Sequence, residues 1–369
     1  MKFSLPVLSI PCAPRMRPAL VLAVSLLACG SAMAQANWAK VAVPAYTPDN
    51  ILQGLHQHWT LPRADDFARE AQALPATVKA LCSASPPAGQ AQSAARMQWQ
   101  ATTRAWERLS TVAVGPLITR RSQRQIDFSP TRPALIDKAI RTAPQGPAAM
   151  ERVGTPAKGL PALEWLLWTQ PVAPGSAACA YAQEVALDVE REALALQHDF
   201  KALAATDWPN AESEIVIAGM GELVNQWVGG LERLRWAQME KPLRAAKPRE
   251  APEWPRAASG QTAQSWANQW EALRSLGVLT GQEAPLPGQG LVPLETYLRG
   301  KGLNPVADAL LAATRQTDLR IRNLTASRAL GHTQVLDAAR SLASLKRVAE
   351  GKVAPALDIS MGFSDADGD

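Results

Sequence analysis

ARMQWQATTRAWERLSTVAVGPL, residues 95–117, decides the fold, because Trp99, Thr103, Trp106, Ser110 and Ala113 recur at alternating steps of four and three. Only a helix brings such positions to one side, so the spacing predicts an amphipathic helix with a Trp-bearing face turned to a core. The same rhythm returns in 179–206, through Val185, Val189, Ala193, Leu196, Phe200 and Leu203, and in 213–240, through Met220, Val224, Trp227, Leu231 and Leu234. Further helices are expected at 49–60, 63–82, 132–142, 160–168, 260–277, 290–300, 304–328 and 332–350. Thr47-Pro48-Asp49 and Asp207-Trp208-Pro209 set cap residues beside a proline suited to a first helical turn. No alternating apolar pattern flanks an Asn-Gly or Asp-Gly pair, so no hairpin is predicted. Connections rich in Pro, Gly and Ser fall at 83–89, 142–147, 169–177 and 247–260.

Long helices on short connections make an all-α, up-down architecture. The chain of 369 residues exceeds one four-helix bundle, so two helical bundles are expected. The expected bounds are a leader at 1–34, an N-terminal bundle at 35–205, a C-terminal bundle at 206–358 and a tail at 359–369.

The leader has a basic start (Lys2, Arg15, Arg17), an apolar run at 18–29 too short to span a membrane, and the small-x-small site Ala32-Met33-Ala34. This is the pattern of a secretory signal peptide. The stretch from Met16 is a complete signal by itself, which leaves Met1 and Met16 as alternative starts. A second reading makes Leu26-Leu27-Ala28-Cys29 a lipoprotein box, with Cys29 as a lipid anchor.

Removing the leader leaves 35 basic against 33 acidic residues, so most of the net charge of +5 belongs to the signal. No Lys/Arg block remains, and nucleic acid is not an expected partner. No later apolar run reaches membrane-spanning length. Cys12 and Cys29 depart with the leader, leaving Cys82 and Cys179. In an exported chain these two are expected to pair as a disulfide, with two separate buried thiols as the alternative.

Chemistry is concentrated in few places. GLPALEWLLW (159–168) is almost wholly apolar yet holds Glu164. A carboxylate buried there needs a pairing cation, a proton or a metal. The segment 115–140 gathers Arg120, Arg121, Arg124 and Arg132 around Asp127, either as a solvated basic turn or as the lining of a polar cleft able to pair Glu164. The four histidines, His56, His58, His198 and His332, form no His-x-x-x-His pair, and Cys-x-x-Cys does not occur. The sequence therefore offers no ready zinc set. Asp365, Asp367 and Asp369 open like a calcium loop, but the sequence given ends before such a loop's glycine and bidentate Glu, so a structural tail is expected.

GLPALEWLLW, MQWQATTRAWERLSTVAVGPL, RRSQRQIDFSPTRP, MEKPLR (239–244) and the GFSDADGD terminus stand in the order found in the imelysin family, which the chain resembles over about residues 45–369. The resemblance implies two helical bundles, residence in the periplasm or at the outer membrane, and a link to iron uptake. It also implies a G-x-H-x-x-E motif. Here Gly159 and Glu164 match, while Pro161 replaces the histidine. His and Glu three residues apart on a helix could hold one metal together. Pro161 has no ligand atom and suits a first helical turn instead.

Three functions follow. The first is a non-catalytic protein of iron acquisition, binding an iron species or contacting an uptake partner. Its ligand-binding candidates are Gly159, Glu164, Glu107, Glu222, Arg120, Arg121, Arg124 and Asp127, and Glu164, Glu107 and Glu222 are its candidate oxygen ligands. The second is a divergent metallopeptidase with Glu164 as the catalytic group. The third is a structural or interaction module in which Glu164 is a paired helix residue.

Overall fold

The structure is a computed structural model and describes residues 42–85, 89–247, 250–327 and 329–362. The leader, Cys29 and the acidic residues Asp365, Asp367 and Asp369 lie outside these residues. Every regular element among the described residues is a helix. In chain order they are α1 (Pro48–Leu55), α2 (Leu61–Cys82), α3 (Gly89–Ser110), α4 (Pro116–Thr119), α5 (Ser122–Ile126), α6 (Pro133–Thr142), α7 (Pro147–Glu151), α8 (Gly159–Glu164), α9 (Ala177–Ala204), α10 (Ser213–Glu232), α11 (Lys241–Ala245), α12 (Thr262–Gly277), α13 (Leu294–Gly300), α14 (Asn304–Thr325), α15 (His332–Val348) and α16 (Ala354–Ala356). Wide π-type turns continue α1, α8, α10 and α15 at His56–Thr60, Trp165–Thr169, Arg233–Glu240 and Ala349–Val353.

The opening stripe folds as its spacing dictates, with Trp99, Thr103, Trp106 and Ser110 all buried on α3. The helix ends at Ser110 and does not run on to 117. Gly115 takes a φ of +56° and Pro116 follows, and proline cannot donate the next helical hydrogen bond, so the chain turns and restarts as α4.

Two apolar cores result. One gathers Phe67, Trp99, Trp106, Leu163, Val185 and Phe200 from α2, α3, α8 and α9. The other gathers Trp59, Trp227, Leu231, Trp266, Leu310 and Leu342. Their division supports a boundary near 205/206, which stands as a proposal. Two segments are exchanged: Ile51, Leu52 and Leu55 of α1, and Val112 and Val114 after α3, pack in the second core. Cys82 at the end of α2 and Cys179 in the first turn of α9 form the expected disulfide, with Cα atoms 5.6 Å apart. The Ser176 hydroxyl caps α9 by accepting from the Cys179 amide at 3.1 Å.

His56, at the end of α1, is buried, stacked on Trp208 at 5.2 Å between ring centroids and 3.3 Å from the Thr60 hydroxyl. Burial pushes its imidazole down from 6.5 to about 4. Between those values the unfolded chain binds a proton that the folded chain refuses. Stability is therefore complete above 6.5 and drains away as pH falls towards 4, by about 3 kcal/mol in all. Urea unfolding at pH 7 and pH 4 should show the wild type losing about that much more than His56→Gln; parallel losses would refute it.

Candidate functional site

The apolar motif segment is placed by its glycine. Gly159 has a φ of +75°, and a Cβ there would sit 2.4 Å from the Ile126 carbonyl oxygen and 2.9 Å from that of Gln125. Only glycine allows α8 to press onto α5 so closely. Gly159→Ala combines a left-handed strain with a backbone clash, for an expected loss of about 3 kcal/mol in chemical denaturation. An unchanged midpoint would show that α8 can slide away freely.

Pro161 falls in the first turn of α8, as its missing N–H requires, and Glu164 ends the helix at 7% exposure. The Glu164 Oε1 accepts from the Ser259 amide at 3.0 Å and from the Ser259 hydroxyl at 2.7 Å. Ser259 comes from the Pro-rich connection before α12. The same connection delivers Arg256, a buried residue with a left-handed φ of 61°.

Arg256 is the hub. Its guanidinium donates to Asp127 Oδ2 at 2.7 Å and approaches Glu107 Oε1 at 3.4 Å. It also lies 5.5 Å from the centre of the Trp99 ring, whose indole N–H is fixed on the Leu160 carbonyl at 2.9 Å. Glu107 further accepts from Ser265 Oγ at 2.6 Å and Asn268 Nδ2 at 2.8 Å, both on α12. The Trp106 indole donates to Asp127 at 3.2 Å. Burial opposes the charge on Arg256, but Asp127, Glu107 and Glu164 together hold its pKa above the ordinary arginine value. Burial pushes the Glu107 carboxyl up, against the pull of Arg256, Asn268 and Ser265. The cavity between these groups measures about 70 Å³ and is lined by Glu107, Asp127, Pro161, Glu164, Gln238 and Arg256. It is of water size.

The candidate residues are only partly assembled. Gly159, Glu164, Glu107 and Asp127 meet here. Arg120 does not pair Glu164; it binds Glu192 at 2.8 Å and Asp199 at 3.2 Å on α9. Arg121 and Arg124 face solvent. Glu222 accepts the Gly115 amide at 2.6 Å and so braces the turn before α4. The oxygen set Glu164, Glu107 and Glu222 is therefore not gathered around one point. Among the described residues no three His, Cys, Asp or Glu side chains stand so as to hold a metal ion. The donors present do not fit one: a cation, Arg256, already pairs Glu107 and Asp127, and Glu164 Oε1 is engaged by Ser259. Arg256 and Ser259 escaped sequence reasoning because they sit in a loop with no periodicity. The only signal was an Arg and a Ser within a long Pro-rich connection.

The Imelysin family model matches residues 60–329. No curated protein matches the chain. Among solved structures, an imelysin-like protein from Psychrobacter arcticum 273-4 superposes with a TM-score of 0.68 at 17% identity, over 87% of this chain and 100% of that one. A protein described as an iron-regulated protein A precursor from Parabacteroides distasonis ATCC 8503 superposes with a TM-score of 0.67 at 15% identity, over 84% of this chain and 94% of that one. These two likenesses are likenesses of fold. No helix among the described residues is long and apolar enough to cross a membrane.

Proposed function

The chain belongs to the imelysin family, and from that premise we propose that it is an exported, non-catalytic component of iron acquisition that works by contacting a partner. The observation that carries this reading is the closed pairing of the motif cluster: Ser259 holds Glu164, and Arg256 holds Glu107 and Asp127. Hydrolysis needs an activated water, made by a metal or a free general base. The Glu164 oxygen that faces Ser259 is occupied by two hydrogen bonds, and Pro161 supplies neither ligand nor base. Export to the periplasm is supported by the signal pattern of residues 1–34, with lipid attachment at Cys29 as its variant. The iron link is supported by the family resemblance and by the neighbour described as an iron-regulated precursor.

The test joins genetics to biochemistry. Deletion of the gene should slow growth only under iron limitation, and both the wild type and Glu164→Gln should restore it. The glutamine keeps an oxygen for Ser259 and should cost only about 1 kcal/mol of stability. No deletion phenotype under iron limitation removes the iron part of the reading. Chelator-sensitive cleavage of casein by residues 35–369, abolished in Glu164→Gln, replaces it with the metallopeptidase reading.

A structural role for the same cluster is favoured by one observation. Glu107 on α3 is bound by Ser265 and Asn268 on α12, so the cluster fastens the first core to the second. The two roles are compatible.

A further inference from the structure

Next to the motif cluster lies a cation that no carboxylate pairs among the described residues. Arg233 opens the wide turn that follows α10, three residues after Gly230. A Cβ at Gly230 would lie 2.6 Å from the Thr111 carbonyl oxygen and 2.8 Å from Leu273 Cδ2, so the last turn of α10 runs hard against the chain after α3. That approach brings one Arg233 nitrogen to the Thr111 carbonyl at 2.9 Å. Among the described residues no acid forms an ion pair with Arg233. Burial pulls its pKa down to about 10. Arg256 is the contrast: more deeply buried than the half-buried Arg233, it is answered by carboxylates and shifts the other way.

A guanidinium has five N–H donors in a planar fork. The Thr111 carbonyl accounts for one of those on Arg233. The rest can be offered to a cavity of about 150 Å³, lined also by Ser110, Gln123, Gln238 and Gln269. Glu107 and Asp127 reach the same cavity, but both are turned onto the one guanidinium of Arg256 and neither forms an ion pair with Arg233. The wall thus combines a guanidinium that no carboxylate touches with the Ser110 hydroxyl and the amide of Gln238, in a space that admits an oxyanion and a water or two. A planar or tetrahedral oxyanion meets the fork through two parallel hydrogen bonds.

We infer that Arg233 anchors a binding site for a small anion, a carboxylate or phosphate group, seated between α3, α10 and α12. The site does not depend on a role in iron acquisition, and a deletion without an iron phenotype leaves the following titrations unchanged. The mature chain is exchanged into buffer free of oxyanions and titrated with inorganic phosphate and, separately, with malonate. Ionic strength is held constant with sodium chloride. Binding is read by calorimetry and by the melting temperature, which rises with ligand that binds only the folded state.

Heat and stabilisation with either probe are expected for the wild type, and the probe that works tells a phosphoryl ligand from a carboxylate one. Arg233→Met should lose the response. Without probe it should melt close to the wild type, because it removes a half-buried charge that no ion pair holds. Gln238→Glu leaves Arg233 in place and sets a like charge on the ligand's wall, so it should weaken binding by about tenfold or more. The inference is overturned if the wild type responds to neither probe up to about 10 mM, a range that captures even millimolar affinity. It is equally overturned if Gln238→Glu titrates like the wild type. Should Arg233→Met fail to fold, Gln238→Glu decides alone.

Discussion

Arg256→Met should destabilise the protein by about 3–5 kcal/mol at neutral pH, the cost of leaving a buried ion pair without one partner. Methionine nearly matches the length of arginine and meets the same left-handed backbone, so the comparison isolates the charge. Glu107, with 4% of its surface exposed, and Asp127 would then face each other with no cation between them. The deficit should shrink as pH falls. Removing Arg256 raises the folded-state pKa of Glu107 further above its unfolded value, so the folded variant takes up protons that the unfolded chain does not. Stability of the variant relative to the wild type therefore recovers through the carboxylate range. Glu107→Gln placed in the Arg256→Met background should restore part of the loss, because it removes the stranded charge while keeping an acceptor for Ser265. Arg256→Lys should rescue incompletely, since an ammonium cannot span two carboxylates as a fork does. Urea midpoints for the four proteins settle the matter, and an Arg256→Met midpoint equal to that of the wild type would show that the cluster is solvated in solution.

Breaking the disulfide should cost about as much. Cys82 and Cys179 close a loop across a sequence separation of 97 residues. For a loop near that length the chain-entropy account gives about 4–5 kcal/mol, arising in the unfolded state. Cys82→Ala/Cys179→Ala should show this loss in oxidising buffer, and reductant should bring the wild type down to the variant. Because the closed segment contains α3 to α8, the loss falls on the first core and carries Glu107 and Glu164 with it. An unfolding midpoint indifferent to reductant would contradict the proposal that the bridge constrains the unfolded chain.

The helices were legible because a period near 3.6 is written into each strand of sequence that meets a core: Trp99 and Trp106 on α3 and Val185 and Val189 on α9 are buried as their spacing demands. Burial of Glu164 was equally legible from its apolar neighbours. Its partner was not. Ser259 lies 95 residues further on, and arginines close in sequence at 120–124 drew the expectation instead. Those arginines sit in the turn between α4 and α5 and on α5, and their direction is set by Gly115, Pro116 and the left-handed Arg121, none of which has a periodic signature. The place of Arg256 depends on how the connection before α12 crosses the first core. Pairing across such a distance follows from packing, which a local pattern does not encode.

The reach of the 250–261 connection into the first core also bears on how descendants of this chain can change. Position 161 lines the cavity but donates nothing to the cluster, so its identity is free to wander. A histidine placed there would meet a neighbourhood already held by a guanidinium, and one substitution would not build a metal pair. Positions 107, 127, 164, 256 and 259 are tied together by ion pairs and hydrogen bonds, and a change at one exposes the others until a second change follows. Inheritance at this site should therefore proceed by linked pairs of substitutions, with position 161 drifting faster than Gly159, Glu164 or the distant loop that closes over them.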